Sequence, residues 1–339
     1  MNMAAAEFID LFTTCPTYDG SDSKSYLKRV CDVSRWSDEA GCKGILVYTD
    51  NSVVDPWLIA QTIIQHTKAL SPLVAVQSIY MHPYTVAKMV SSLSYLHNRK
   101  MCLNMVAGGF KNDLSALNDV TPHDKRYDRL VEYTTIIMRL LAGGPPVTFE
   151  GEFYRVEQLS LKPPLPKELL PTITISGSSE AGLSAAETLG AIPVKYPEPP
   201  EQSSIRPGLR TNGCGIRVGI IARDREEDAW QVANKRFPPD RQGQIMHTLA
   251  MKVSDSVWHR TLSDLNGAQE NKRSTYWMWP FQNYKTFCPY LVGSYEQVSN
   301  EVGRYLATGY KTFILDVPTA EEELTHVNNV FVQALQTVN

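Results

Sequence analysis

A chain of 339 residues, 43% of them hydrophobic, can bury a large core and has neither low-complexity nor disordered composition. Its 33 basic and 36 acidic residues are interspersed for a formal net charge of -3, with no Lys/Arg block, which argues against nucleic-acid and membrane-surface binding and leaves a small-molecule substrate as the expectation. No stretch nears the roughly 20 consecutive apolar residues of a membrane span, no basic n-region precedes the apolar N-terminus, and the six cysteines are scattered without a Cys-x-x-Cys pair, so a cytoplasmic protein with reduced thiols and no metal site is expected.

Along the chain, short β-rich runs alternate with helical patterns, the signature of βα units around a parallel sheet. The first strand is expected at 8–14 (FIDLFTT), followed by an amphipathic helix over 23–41 with Tyr26, Val30, Val33 and Trp36 on one face. The second strand is 44–48, and Asp55-Pro56 then supplies an N-cap and a first-turn proline for a helix to about residue 67. A third strand (73–78) and helix (84–97) lead to a fourth strand (101–106), which runs into Gly108-Gly109 and a polar loop. The next helix, 124–142, is closed by Gly143-Gly144 and Pro145-Pro146. At 147–161 the hydrophobic period becomes two, with Glu150-Gly151 as the turn, which predicts an inserted hairpin.

The fifth strand (172–176) passes through Gly177-Ser178-Ser179 into a helix over 180–189, and further strands are expected at 192–195, 216–222 and 312–316. Eight strands with intervening helices predict a (β/α)8 TIM barrel in one domain over 1–339, with its active site at the C-terminal strand ends; a doubly wound open sheet is the alternative. Residues 197–213 are too rich in Pro and Gly for a full helix. Residues 236–293 form a long lid-like insertion whose segment 271–289 carries six aromatics among Lys and Arg, fit for a lid, a pocket wall or a dimer contact.

Ser176 to Glu180 is the one phosphate signal. A glycine allows close approach, two hydroxyls can donate, and the free N–H groups of a helix start favour an anion; a plain Ser N-cap explains the same residues. Neither a G-x-G-x-x-G nor a Walker A sequence is present.

Five segments in register carry a family resemblance: Asn104-Met-Val-Ala-Gly-Gly109, His123-Asp-Lys-Arg-Tyr127, Phe149-Glu-Gly-Glu-Phe-Tyr154, Gly177-Ser-Ser-Glu180 and Glu226-Glu-Asp-Ala-Trp230. Together they resemble the bacterial luciferase-like flavin monooxygenases, and their order and spacing are most similar to the alkanesulfonate monooxygenases, from Gly41 to Leu315. The resemblance implies a homodimeric TIM barrel that takes FMNH2 from a separate NAD(P)H:flavin reductase. It also implies reaction of that flavin with O2 to a C4a-peroxy- or hydroperoxyflavin, which passes one oxygen atom to a substrate.

Carried across, the family's pattern puts Asn104 at the flavin pyrimidine edge, Thr49 at the ring edge, and Tyr127, Gly177, Ser178 and Ser179 around the phosphate, with His123 near the ribityl chain. Gln77 ends the third strand where relatives often carry an unusual cis peptide under the isoalloxazine. The departures are Val53 in place of a Cys, Gly219 in place of a His two residues after the pocket Arg217, Val317 in place of a Tyr, and Tyr284 or Lys285 in place of a lid Arg. These losses remove the fixed donors that an aliphatic sulfonate needs, so a non-sulfonate substrate is expected, with Arg217 either holding its polar end or pairing an acid at the barrel rim.

Tyr48, His82, Cys15 and Tyr276 are the candidate proton donors, each with an ordinary packing explanation. Two other functions remain open at this level: an F420-dependent oxidoreductase on the same barrel, and a flavin-binding homologue without chemistry.

Overall fold

The computed structural model describes residues 9–205, 213–253 and 273–338. In chain order the strands are β1 (Asp10–Thr14), β2 (Gly44–Val47), β3 (Ser71–Gln77), β4 (Cys102–Val106), β5 (Val147–Glu150), β6 (Arg155–Leu159), β7 (Thr172–Ser176), β8 (Ile192–Lys195), β9 (Cys214–Arg223), β10 (Tyr276–Trp277), β11 (Tyr290–Ser294) and β12 (Tyr310–Leu315).

Eight of them, β1-β2-β3-β4-β7-β8-β9-β12, pair in parallel and in sequence, and β12 returns to β1. The β8–β9 and β12–β1 pairings close the ring, so the open-sheet alternative falls and the eight-stranded TIM barrel stands. Each barrel strand buries two faces, which is why the strands read as continuous apolar runs. Phe12, Leu46, Leu73, Cys102, Val194 and Ile314 fill the barrel interior. Alternate residues such as Leu11, Ile45, Val74, Leu103 and Val218 face the surrounding helices in the main core.

Local chemistry sets the helix starts. Asp22 caps Ser23–Glu39 and Asp55 caps Pro56–His66, each carboxylate accepting from two backbone N–H groups. A buried Arg129–Asp119 pair at 2.6 Å ties the helix His123–Ala142 to the segment before it. The inserted hairpin is present as β5–β6, and Glu132 accepts from the amides of Glu152, Phe153 and Tyr154 at 2.8, 2.9 and 3.1 Å, fixing its turn to that same helix.

Some elements go beyond the sequence expectation. In the described part of the 236–293 insertion, β11 pairs in parallel with Gly219–Arg223 and carries β10 antiparallel on its other edge. This is possible because β9 is ten residues long; β12 pairs Cys214–Val218 and leaves the rest as a free edge above the barrel. The helices Tyr295–Thr308 and Glu321–Val338 also stand where no helix was assigned. Between β8 and β9 the described residues hold only a single 3-10 turn, Pro200–Gln202, as the proline content required. Among the described residues no helix is long and apolar enough to cross a membrane.

Candidate active site

A cavity of about 450 Å³ opens at the C-terminal ends of the barrel strands, within the range of small-molecule sites. Its wall is built from strand-end residues and from the 284–287 segment ahead of β11.

One corner is lined by hydroxyls and a helix start. Gly177 (φ 152), Ser178 and Ser179 line the cavity at the end of β7, where Ser179 caps the helix Glu180–Leu189 through the Gly182 N–H at 3.2 Å. The buried Tyr127 phenol arrives from the helix His123–Ala142 and is hydrogen bonded to the Ser179 side chain; burial pushes its pKa up, so the hydroxyl stays protonated and able to donate. A Cβ on residue 177 would stand 2.5 Å from the Tyr127 hydroxyl, so only glycine lets that oxygen sit against the turn. Two serine hydroxyls, a phenol and the N–H groups of a helix start form a donor set suited to a phosphate monoester. His123 lines the same side, with its Nδ1 2.7 Å from Asp124 Oδ1 and its ring 5.3 Å from that of Tyr127.

Across the cavity, Asn104, midway along β4, has its Oδ1 taking the Thr174 and Ser176 hydroxyls at 2.8 and 3.0 Å, which leaves its Nδ2 to donate to a ligand. Gln77 and Thr49 line the cavity too. The peptides at Gln77 are trans, unlike what the resemblance implied there: among the described residues the one cis bond is Lys162–Pro163.

The third wall carries charge. Arg217 lies 4% exposed at the end of the barrel portion of β9, its guanidinium 4.7 Å from the Tyr48 ring centroid and 5.4 Å from that of Tyr196. Its Nη1 donates to the Tyr196 hydroxyl at 2.9 Å and its Nη2 is 3.5 Å from Asp316 Oδ1. Asp316 Oδ2 accepts from Thr286 and Tyr290 at 2.6 and 2.8 Å. The other two cations among the described lining residues are paired as well, Lys285 with Asp240 at 2.5 Å and Lys195 with Glu198 at 3.0 Å. Asp50 and Asp113 add acid to the rim, and burial followed by the nearby Asp50 raises the Asp113 pKa.

Tyr48, Val53, Val317, Tyr284 and Lys285 all line the cavity. His82 does not: it is exposed, caps the helix Pro83–His97 by accepting the Tyr84 N–H at 3.2 Å, and leaves the list of proton donors. Cys15 is buried with its pKa driven up by desolvation, and Tyr276 donates to the Pro197 carbonyl at 2.8 Å; neither lines the cavity. Gly219 is also outside it. A Cβ there would stand 2.3 Å from the Tyr290 ring, so the glycine makes room for the tyrosine that reaches Asp316. Sequence reasoning missed Asp316, Tyr196 and Thr286; a carboxylate on the last position of an expected barrel strand was the available signal for Asp316. Among the described residues no group of three or more His, Cys, Asp or Glu side chains could hold a metal ion.

Comparison with known proteins places this barrel. The family model described as Luciferase-like monooxygenase matches residues 8–312, and the chain belongs to that family. It is 35% identical over 319 residues, 92% of each chain, to the 4-(gamma-L-glutamylamino)butanoyl-[BtrI acyl-carrier protein] monooxygenase BtrO of Niallia circulans. Among solved structures, EDTA monooxygenase (EmoA) from Chelativorans sp. BNC1 superposes with a TM-score of 0.72 at 14% identity, covering 98% of this chain and 95% of that one. The FMN complex of the oxygenating constituent of 3,6-diketocamphane monooxygenase from Pseudomonas putida gives 0.70 at 12%, covering 98% and 99%. An F420-dependent secondary alcohol dehydrogenase gives 0.68 at 13%, covering 96% and 99%. At these identities the structures share the fold.

Proposed function

We propose that this chain is the oxygenating component of a two-component flavin monooxygenase, which takes FMNH2 from a separate NAD(P)H:flavin reductase and uses O2 to oxygenate a small, non-sulfonate organic substrate. The carrying observation is the donor set of Tyr127, Ser178 and Ser179 around Gly177, which fits the terminal phosphate of FMN. Bound FMNH2 would supply the two electrons that, with O2, place one oxygen atom on the substrate and release the other as water. The chain's own part is to hold and shield. Asn104 Nδ2 and the Gln77 amide would meet the polar edge of the ring, Thr49 would lie at its rim and His123 beside the ribityl chain. The Tyr284–Phe287 segment would keep water out.

The paired state of Lys195, Arg217 and Lys285 supports a non-sulfonate substrate, since no described lining cation is left to meet a fixed anion. The acyl-carrier substrate in the name of BtrO supports an acyl chain. F420 remains the competing cofactor on fold grounds, but the acidic rim of Asp50 and Asp113 opposes its anionic tail. Of the proton-donor candidates, Tyr48 stays, its buried hydroxyl without a hydrogen-bond partner. The same reading takes the chain as one cytoplasmic domain over 1–339 that forms a homodimer, supported by the exposed Leu58, Tyr95 and Leu96 on the helices Pro56–His66 and Pro83–His97. Fluorescence titration with FMN, riboflavin and F420 tests the cofactor. FMN should bind about tenfold or more tighter than riboflavin, from charge-assisted bonds to the phosphate alone; a preference for F420, or equal binding of riboflavin, would reject it.

A further inference from the structure

We propose that the cavity seats an uncharged carboxamide of its substrate against Arg217 and Asp316, and that Asp316 is the residue that sets this selectivity. The inference deepens the proposed function, on which it rests for treating this wall as the substrate side of the cavity.

Arg217 and Asp316 together carry no net charge, and both line the cavity. Their polar atoms are unequally used. Asp316 Oδ2 is saturated by the Thr286 and Tyr290 hydroxyls, while Oδ1 has only the long 3.5 Å contact to Arg217 Nη2. Arg217 Nη1 is spent on Tyr196, while Nη2 has only that same long contact to Asp316. The stacked Tyr48 and Tyr196 rings and the two hydroxyls on Oδ2 hold both charged groups in place, so neither can swing away to find another partner.

What remains on this wall is an acceptor, Asp316 Oδ1, next to a donor, Arg217 Nη2, joined only by their 3.5 Å contact. A buried polar atom left unpaired is costly, so a ligand that fills this wall is selected for supplying the complements. A carboxamide offers an N–H for Asp316 Oδ1 and a carbonyl for Arg217 Nη2 with no charge to desolvate. A carboxylate would have only acceptors and would face Asp316 at close range. An alkylammonium would have only donors and would face Arg217. Gly219 belongs to the same device: its missing side chain admits the Tyr290 ring that fixes Asp316.

Calorimetric titration of the purified full-length protein with hexanamide, hexanoate and hexylamine tests this. The wild-type protein should bind hexanamide at least tenfold tighter than either charged probe. Asp316→Asn removes the balancing charge, frees Arg217 as a cation, and should reverse the order so that hexanoate binds tightest; circular dichroism and the melting temperature check that the variant is folded. Hexanoate equal to or tighter than hexanamide on the wild type, an unchanged order in the folded variant, or no binding of any probe would each overturn the inference. The wild-type order decides the matter even if the variant does not fold. FMN titration of the same protein separates the two readings: FMN binding without an amide preference sinks only this one, and an amide preference without FMN binding sinks only the flavin assignment.

Discussion

Replacing Gly177 by alanine distinguishes a phosphate cradle from a plain helix cap. The backbone there has φ 152, and the added methyl would lie 2.5 Å from the Tyr127 hydroxyl. Strain at such a position costs about 1–3 kcal/mol, which lowers the melting temperature whatever the site does. The second consequence is specific: the Tyr127 oxygen must retreat by several tenths of an ångström or more and lose its bond to an anion. A hydrogen bond to a charged group contributes about 1.5–3 kcal/mol, so FMN binding should weaken roughly 10- to 100-fold. Riboflavin lacks the phosphate and provides the control. Titrations of Gly177→Ala and wild type with FMN and riboflavin should show the loss for FMN alone. FMN affinity within twofold of wild type, or equal losses for both ligands, would refute the cradle and leave Ser179 as a cap.

Tyr127→Phe should give a similar, smaller loss of FMN binding, about tenfold, with little change in melting temperature, since only one donor is removed. Burial pushes the Asp119 carboxyl up, but hydrogen bonds from Arg129 and Thr121 outweigh it and hold the group at about 2. Its stabilising effect is therefore full above the unfolded carboxylate pKa of about 3.9 and lost as pH falls toward 2. Melting curves of Asp119→Asn should be lower than wild type at pH 7 and flatter between about pH 4 and 2; parallel curves would contradict the assignment. Glu132→Ala removes the acceptor of three hairpin amides and should expose residues 151–156 to hydrogen exchange at a cost of about 2–3 kcal/mol. Gly219→Ala should displace the Tyr290 ring and destabilise by about 1–3 kcal/mol, read by chemical denaturation.

The barrel was legible because each of its strands is apolar on both faces and most end in a Gly, Asp or Ser signal for the next turn. The proposed cradle was legible for a different reason: Gly177, Ser178 and Ser179 are adjacent in sequence, and the strand-to-helix junction that brings them to the cavity is itself a local feature. The long-range wall was not. Arg217, Tyr196, Thr286 and Asp316 come from four separate strand ends or loops, and only barrel closure brings them together. Gly219 read as a lost site residue because the compensating ring, Tyr290, lies 71 positions away on a strand whose pairing needs the free upper edge of β9. His82 misled because a histidine before Pro83 serves equally as a cap, and a lone side chain does not say which. The helix after β11 had a readable start, the Ser294–Gln297 capping box.

The central claim is that this cavity holds reduced FMN and shields it. The protein should be loaded with FMNH2 under anaerobic conditions, mixed with O2 in a stopped-flow, and the flavin absorbance followed. The account predicts reoxidation far slower than that of free FMNH2 and shortened by a productive substrate. Reoxidation at the free-flavin rate, with no binding beforehand, would contradict it and leave F420 or a non-catalytic role.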